Sequence, residues 1–410
     1  MGRTTGKKSS ISSKIKLAFI TDDTPVDEQV MAHGMCRVNT RLLRALDQYV
    51  SLAITNLYSN GYQHKHLLKE IQNKYVLMTF PYWVQKILGR FFPKLRSSEF
   101  AFQLMLPTLV KRLRHTEANW IFCSCGADPK ILDKGFQLAQ ASNLPLAVYL
   151  VDDFLESAIL SKNLDNLKMA QEKVPYWLSE SQKIFVISDG LRQLLLERYK
   201  LDSVVLPLPY ELPQDSLNLE VVHESNQIMF VGSLSHFYVD GVRQLAEILD
   251  EINQSLNTSI TLRLTSCTIE YANQIIGKFQ CLRCKPCSTM MELYQEIASS
   301  LFCFAPYSFD KKYETMVKTS FPSKTMDYLA YAKLIVLYAP DYSTSSQYFA
   351  ENGLSVCVHN ITELREIIIT QMKHKLNYTK QYNLVLNQFH NLELIKDSIT
   401  NNLNFKKIKN

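Results

Sequence analysis

The sequence predicts an α/β fold with two doubly wound parallel sheets, one in each half of the chain. Short apolar runs typical of strands alternate with amphipathic helical segments over most of the sequence. A stretch with three prolines and then a polar run, residues 207–226, interrupts this alternation, which begins again at Gln227. The length of 410 residues fits two domains better than one.

The predicted strands and helices divide the chain into two α/β halves. We expect strands at 15–21, 50–56, 120–124, 146–151, 183–187 and 203–206, and helices at 37–48, 129–141 and 188–199. In the second half we expect strands at 227–231, 260–265, 301–305, 334–338 and 354–358, and helices at 240–253, 290–299 and from 362. The predicted units are an N-terminal domain (15–210), a linker (211–226), a C-terminal domain (227–375) and a helical segment (376–410) that can cross back to the N-terminal domain.

Composition excludes several classes of protein. Hydrophobic residues make up 46% and charged residues 20% of the chain, which excludes a disordered protein. The net charge, 45 − 39 = +6, favours anionic ligands or a lipid surface but is too small to predict a nucleic-acid partner. No apolar run of about 18 residues is present, so no membrane span is expected.

The nine cysteines are scattered and odd in number, which favours reduced thiols in a cytoplasmic protein over a disulfide framework. The first apolar run, 17–20, is too short for a signal peptide. Cys281, Cys284 and Cys287 have metal-like spacing, but a structural metal needs four ligands and no fourth candidate is nearby. We therefore expect no metal and no cofactor.

Residues 79–114 are rich in aromatic and basic side chains. The segment holds seven aromatic and seven basic residues against a single acidic one, Glu99. Two interpretations stand equally: an amphipathic surface for peripheral contact with an anionic inner membrane face, or two helices packed in the core with a solvated basic face.

One short stretch, 321–338, combines a loop, a helix and a buried strand. Ser323 is placed to cap the helix, and apolar residues follow at helical spacing before the strand begins at Leu334. A helix N-terminus with Lys324 in its first turn suits an anion, above all a diphosphate. An ordinary αβ unit with a solvated lysine is the alternative.

The letters PSKTMDYLAYAKLIV in this stretch resemble the donor-site segment of GT-B nucleotide-sugar glycosyltransferases, enzymes with two Rossmann-like domains facing each other across a cleft. The likeness is to the retaining clan related to glycogen synthase and glycosyltransferase family 4. The chain departs from that pattern at Asp327, Ala332 and Leu334. Segments 183–211, 228–249 and 290–309 resemble the same enzymes, so the likeness extends over about 183–358.

The resemblance implies that the C-terminal domain binds the sugar nucleotide. Asp327 stands where a glutamate of these enzymes binds the ribose, and Thr319 stands where a second glutamate is found. Lys324, helped by Lys318, is the expected diphosphate partner, because Ser233 occupies the place of an arginine. The residues expected at the donor site are Gly232, Ser233, Lys318, Ser323, Lys324 and Asp327.

Two residues of the N-terminal half are candidate catalytic groups on the acceptor side. His33 lies in the long loop after the first strand, and Asp153 follows the strand predicted at 146–151. A solvated histidine and a helix-capping aspartate are the alternatives.

The predicted activity is hexosyl transfer, with retention, from a nucleotide-diphosphate sugar to a saccharide or lipid-linked acceptor in polysaccharide or glycoconjugate biosynthesis. A catalytically weak or inactive relative, acting as a binding or scaffold subunit, is the alternative, because the arginine and one glutamate of the donor pattern are missing. A dinucleotide-dependent oxidoreductase is disfavoured, since no G-x-G-x-x-G follows a strand.

Overall fold

A computed structural model describes residues 15–27, 30, 32, 34–56, 64–78, 98–211, 225–354 and 356–404. These residues form two parallel sheets, of seven and six strands, with sixteen α-helices packed around them. The predicted fold class, two doubly wound α/β units, is confirmed. Residues 79–97 and 212–224, which include most of the predicted linker, lie outside the described part.

The first sheet has the strand order β3-β2-β1-β4-β5-β6-β7. Its strands are β1 Leu17–Thr21, β2 Val50–Thr55, β3 Tyr75–Leu77, β4 Trp120–Cys125, β5 Leu146–Leu150, β6 Lys183–Val186 and β7 Val204–Val205. The helices around it are α1 Gly34–Leu46, α2 Ser98–Thr116, α3 Lys130–Ser142, α4 Phe154–Ser161, α5 Leu164–Glu172, α6 Val174–Glu180 and α7 Asp189–Tyr199.

The second sheet repeats this winding in the order β10-β9-β8-β11-β12-β13. Its strands are β8 Gln227–Phe230, β9 Thr261–Leu264, β10 Leu282–Cys284, β11 Phe302–Pro306, β12 Ile335–Tyr338 and β13 Val356–Val358. Its helices are α8 His236–Leu256, α9 Ile269–Ile276, α10 Met290–Ser299, α11 Glu314–Thr319, α12 Lys324–Tyr331, α13 Thr344–Glu351 and α14 Ile361–His374.

The central strands are apolar along their whole length because helices cover both faces of each sheet. Phe19, Phe122 and Phe185 show this in the first sheet: each is fully buried. The rings of Phe19 and Phe122, on the neighbouring strands β1 and β4, lie 5.6 Å apart, and Phe122 lies 6.0 Å from Phe185 on β6. The edge strands β3 and β10 were not predicted, since each has three residues and too little periodicity to read.

The last described residues form helices that return to the first domain. Helix α15, Thr379–Val385, and a π-helical turn, Leu386–His390, lead into α16, Leu392–Asn404, which packs against α1. No helix in the described ranges has the length and apolar character needed to cross a membrane.

His390, in the C-terminal helical segment, contacts both the first and the second domain. Its Nδ1 lies 2.7 Å from the carbonyl oxygen of Leu208, and its Nε2 lies 2.7 Å from the hydroxyl of Tyr348. The backbone N–H of Tyr210 donates to the carbonyl of His390 at 2.7 Å. A neutral ring, protonated on Nδ1, satisfies both side-chain contacts. Burial lowers the pKa of His390 to about 4.

Because of this buried histidine, we expect the free energy of unfolding to fall at acid pH. The unfolded chain, with an ordinary histidine pKa near 6.5, binds the proton more readily than the folded chain, so stability falls as the pH drops from about 6.5 to about 4. The loss reaches about 3 kcal/mol at the acid end. Denaturant unfolding at a series of pH values measures it. His390→Gln should flatten this part of the curve, whereas the same change at the exposed His374 should leave it unaltered.

Candidate functional site

A cavity of about 820 Å³ lies between the two domains, at the carboxyl ends of both sheets. Ligands of doubly wound proteins bind at this edge, where neighbouring strands connect in opposite directions. The first domain contributes α1 and the end of β5, through Ala32, Gly34, Met35, Arg37, Val38, Val151 and Asp152. The second contributes Val231, Gly232, Ser233, Phe237, Tyr238, Thr265, Ser266, Met290, Leu293, Ser320, Phe321, Pro322, Ser323, Lys324 and Asp327.

Lys324 is the chemically distinctive group in this cavity. Its side chain is 9% exposed, and its Nζ has no hydrogen-bond partner in the described part of the chain. The ammonium group lies over two aromatic rings, 3.7 Å from the centre of Tyr238 and 4.0 Å from that of Phe230. Burial holds the pKa of Lys324 well below its usual value. The aromatic faces stabilise the charge but do not accept conventional hydrogen bonds from its three N–H donors.

The turn after β8 brings backbone close to this lysine. Gly232 has a φ of +99°, which favours glycine, and its N–H donates to Thr265 Oγ1 at 3.3 Å. Tyr328, on α12, ties the turn to the helix: its hydroxyl accepts the N–H of Val231 at 2.8 Å. Gly232 and Ser233 thus lie on the cavity with Lys324, as the sequence predicts.

Asp327, one turn along α12 from Lys324, forms an ion pair across the domain interface. Its carboxylate is fully buried and accepts two hydrogen bonds from Arg37, one of them at 2.6 Å, and a third from Arg41 at 3.2 Å. Burial alone would raise the pKa of Asp327, but the two guanidinium groups outweigh it and hold that pKa below its ordinary value. A ribose at Asp327 would therefore have to share or displace these arginines.

The two aspartates after β5 have different environments. Asp153 is 4% exposed, caps α4 by accepting the N–H of Glu156, and binds Arg198 through both oxygens at 2.9 Å. Both oxygens of Asp153 are thus engaged in structural contacts, which fits the helix-capping alternative, and its catalytic role stays a prediction. Its neighbour Asp152 lines the cavity instead, and burial, with a contribution from Asp153, raises the pKa of Asp152 to about 6.

Two further predicted residues differ from expectation. Lys318 does not line the cavity: its side chain is 48% exposed and pairs with Glu314. Its backbone carbonyl instead lies against Gly190 of the first domain, where no side chain would fit. Ser323 lines the cavity, but it has helical backbone angles and makes no capping bond. Its hydroxyl faces Gly34 at the start of α1.

His33 lies outside the described residues. Among the residues that are described, no group of three or more His, Cys, Asp or Glu side chains could hold a metal ion. The Cys281 thiol contacts the carbonyl of Ala246, and Cys284 lies 3.8 Å from Cys267, measured between sulfur atoms.

Several residues of the cavity were not predicted from the sequence, among them Arg37, Asp152 and Tyr238. The spacing of Arg37 and Arg41, four apart on an amphipathic helix, was a usable signal that both point the same way. Nothing local indicates that this face meets Asp327.

Several solved structures share this architecture. Anabaena HepE, seen with UDP, with UDP and glucose, and with UDP-glucose, is 14% identical, with a TM-score of 0.59 over 95% of this chain and 99% of its own. An alpha-glucosyltransferase in complex with UDP and a 13-mer DNA containing an HMU base is 9% identical (TM-score 0.57; 95% and 100% covered). Trehalose 6-phosphate synthase from Burkholderia multivorans is 10% identical (TM-score 0.57; 95% and 98% covered).

No protein-family model matches the chain, and no curated protein matches it by sequence. The structural likeness establishes the fold, which is the GT-B fold of nucleotide-sugar glycosyltransferases. The fold that the sequence resemblance implied is therefore confirmed.

The interdomain ion pair predicts a large effect of Asp327→Asn on stability. The change leaves the buried Arg41 and the partly buried Arg37 without their counter-charge, and breaking one side of a buried pair costs about 3–5 kcal/mol. Denaturant unfolding measures the loss. The matched control is Glu251→Gln, which breaks an exposed pair with Arg365 and should cost less than about 1 kcal/mol. Equal losses in the two variants would contradict the importance given to Asp327.

Proposed function

We propose that this protein is a glycosyltransferase that transfers a sugar from a nucleotide-diphosphate sugar bound in the interdomain cavity. The observation that carries the proposal is Lys324, a buried ammonium group without a hydrogen-bond partner, at the edge of the sheet where such folds bind ligands. Burying an unpaired charge is costly, and an anion in the cavity would supply the missing partner.

A diphosphate fits the groups around this lysine. Lys324 lines the cavity and its ammonium group has three N–H donors, and the glycine turn at Gly232 lets a ligand approach the backbone closely. The first turn of α12 adds the positive end of a helix dipole. Because HepE and the alpha-glucosyltransferase were solved with UDP, uridine diphosphate is the nucleotide to test first.

Catalysis would rest on electrostatic stabilisation. Negative charge develops on the diphosphate as its bond to the sugar breaks, and Lys324 is positioned to stabilise that charge in a site partly closed to water. The proposal needs no metal ion, since the lysine and the helix N-terminus supply the positive charge. The resemblance of 321–338 to retaining enzymes favours retention at the sugar.

Asp152 is the candidate acceptor-side group. It faces the cavity from the first domain, whereas Asp153 is committed to Arg198. A carboxyl with a pKa of about 6 can accept a hydrogen bond from a sugar hydroxyl or exchange a proton near neutral pH. The acceptor we propose is a saccharide, free or lipid-linked.

A second candidate function is nucleotide-sugar binding without turnover. The pairing of Asp327 with Arg37 and Arg41 favours it, because a nucleotide that does not reach this carboxylate would bind through Lys324 without the ribose contact expected in an active enzyme. Calorimetric titration with UDP, followed by measurement of UDP release from UDP-sugars with a panel of saccharide acceptors, separates the two. Binding with release supports the enzyme, and binding without release supports the second candidate.

Lys324→Met should weaken UDP binding without loss of stability. A charge-assisted hydrogen bond contributes about 1.5–3 kcal/mol, so the Kd should rise about 10-fold to 100-fold. The free energy of unfolding should stay level or rise, because the variant removes a buried, unpaired charge. The matched control is Lys318→Met, which changes an exposed lysine outside the cavity and should leave the Kd almost unchanged. Comparable losses in both variants would contradict the site.

The affinity for UDP should also fall as the pH rises. The depressed pKa of free Lys324 is raised when an anion binds, so binding takes up a proton between these two pKa values. Calorimetry between about pH 7.5 and 9.5 avoids the second ionisation of the terminal phosphate, near pH 6. In the same range Lys324→Met should bind with a nearly constant Kd. A parent protein whose Kd is also constant would show that Lys324 does not contact the anion.

A further inference from the structure

Three of the nine cysteines are partly exposed to solvent. All nine lie in the described part of the chain as free thiols, and the other six are buried. The partly exposed thiols belong to Cys267, Cys284 and Cys357. The sulfur atoms of Cys267 and Cys284 lie 3.8 Å apart, whereas the thiol of Cys357 faces the carbonyl of Ser346. A reagent in solution therefore meets one pair of adjacent thiols on this protein.

Cys284 belongs to the three-cysteine motif whose spacing resembles that of a metal site. The structure separates the three thiols. Those of Cys281 and Cys287 are buried, the first against a backbone carbonyl and the second 3.5 Å from the guanidinium of Arg263. Cys284 instead ends strand β10 and turns toward Cys267, which follows strand β9. The motif therefore supplies one thiol to a pair rather than three ligands to a metal.

The pair lies at the carboxyl edge of the second sheet, next to the cavity between the domains. Cys267 is three residues beyond the end of β9, and the two residues before it, Thr265 and Ser266, line the cavity. The hydroxyl of Thr265 accepts the N–H of Gly232 at 3.3 Å. Gly232 forms the turn beside Lys324. A change in the position of Cys267 therefore acts on this turn through a single short segment.

A disulfide between the two thiols moves the loop after β9 away from the glycine turn. Bond formation shortens the sulfur–sulfur distance from 3.8 Å to about 2.05 Å. Cys284 is held in the sheet by the pairing of β10 with β9, so the loop that carries Cys267 makes the larger movement. In the strand order β10-β9-β8, β10 lies on the side of β9 away from β8. Because Gly232 follows β8, a movement of Cys267 toward β10 is a movement away from Gly232.

We propose that Cys267 and Cys284 form a modification site, a dithiol that a low-molecular-weight disulfide such as oxidised glutathione converts to a disulfide bond. The bond draws Thr265 away from the N–H of Gly232 and weakens anion binding at the neighbouring Lys324. This second effect rests on the proposed nucleotide-binding function, whereas formation of the bond does not.

The reaction is a pair of thiol–disulfide exchanges. The thiolate of Cys267 attacks one sulfur of oxidised glutathione, forms a mixed disulfide and expels one glutathione thiolate, which takes up the proton that Cys267 lost. The thiolate of Cys284 then attacks the sulfur of Cys267 and expels the second glutathione in the same way. The protein dithiol loses two electrons, and oxidised glutathione gains them as it becomes two glutathione molecules. The second step is favoured because the two thiols are already in contact.

Cys267 is the thiol that attacks first. Burial raises the pKa of both thiols, that of Cys284 to about 12. The hydrogen bond between them opposes this rise at Cys267 and adds to it at Cys284, so Cys267 ionises more readily. Both thiols ionise less readily than a free cysteine, so the exchange is slow near neutral pH.

The test is incubation of the full chain in glutathione buffers with an increasing oxidised fraction, each followed until the number of free thiols is constant. Alkylation of the remaining thiols and peptide mass spectrometry then locate the bond. We expect one pair of peptides joined through Cys267 and Cys284, and complete reversal by dithiothreitol. Cys267→Ser and Cys284→Ser should each abolish the joined pair. The matched control is Cys357→Ser, which removes the third partly exposed thiol and should leave the joined pair as in the parent.

Two measurements follow the effect on the cavity. Hydrogen exchange needs no nucleotide: the backbone N–H of Gly232 should exchange faster in the oxidised protein, because its acceptor has moved away. Calorimetry with UDP should give a Kd about 2-fold to 10-fold higher for the oxidised protein, the effect of losing one neutral hydrogen bond that holds the turn. Cys267→Ser, kept in the same oxidising buffer, should show neither change.

Three results would overturn the proposal: no joined peptides in the most oxidising buffer, joined peptides that use other cysteines of the folded protein, or hydrogen exchange at Gly232 and a Kd for UDP that do not change on oxidation. Circular dichroism of each sample establishes that it is folded. A reduced protein that does not bind UDP would count against the proposed function alone, because peptide mapping and hydrogen exchange are carried out without nucleotide.

Discussion

The way in which the two domains meet depends on the buried carboxylate of Asp327. It belongs to the second domain, yet all three of its described hydrogen bonds come from arginines of the first. A buried ion pair contributes little net stability but is costly to break, so it determines how the two surfaces meet more than how strongly they hold. Arg37 and Asp327 both line the cavity, so this pair forms part of its wall.

Helix α12 carries two buried charges of opposite sign, three residues apart. Lys324 and Asp327 could pair with each other along the helix, but the described structure shows no such bond. Asp327 is neutralised by Arg37 and Arg41, whereas the ammonium of Lys324 meets only aromatic rings. One charge therefore serves the interface, and the other remains available for a ligand. This division of roles is what turns an ordinary αβ unit into a candidate anion site.

The cavity is built from two similar halves with different chemistry. Each sheet contributes residues that follow its strands, because the carboxyl ends of parallel strands meet at one edge. The second domain supplies the cation and a glycine turn, which suit a diphosphate. The first supplies Asp152, a carboxyl with a raised pKa, which suits a hydroxyl group. Transfer of a sugar from a diphosphate donor to an alcohol acceptor requires both groups, a cation on the donor side and a carboxyl on the acceptor side.

The sequence alone determined the local structure: the order of strands and helices, the doubly wound class and the place of Lys324, Gly232 and Ser233 at the edge of the sheet. These follow from periodicity and capping, which act over a few residues. Tertiary structure decided the rest. Asp327 meets Arg37 from 290 residues away, a distance that no local pattern spans. Whether Asp152 or Asp153 faces the cavity depends on how β5 ends against α4 and on Arg198, and Lys318 turns outward because Glu314 lies one turn before it on α11. Side-chain partners across an interface are set by packing, and packing exists only once the chain has folded.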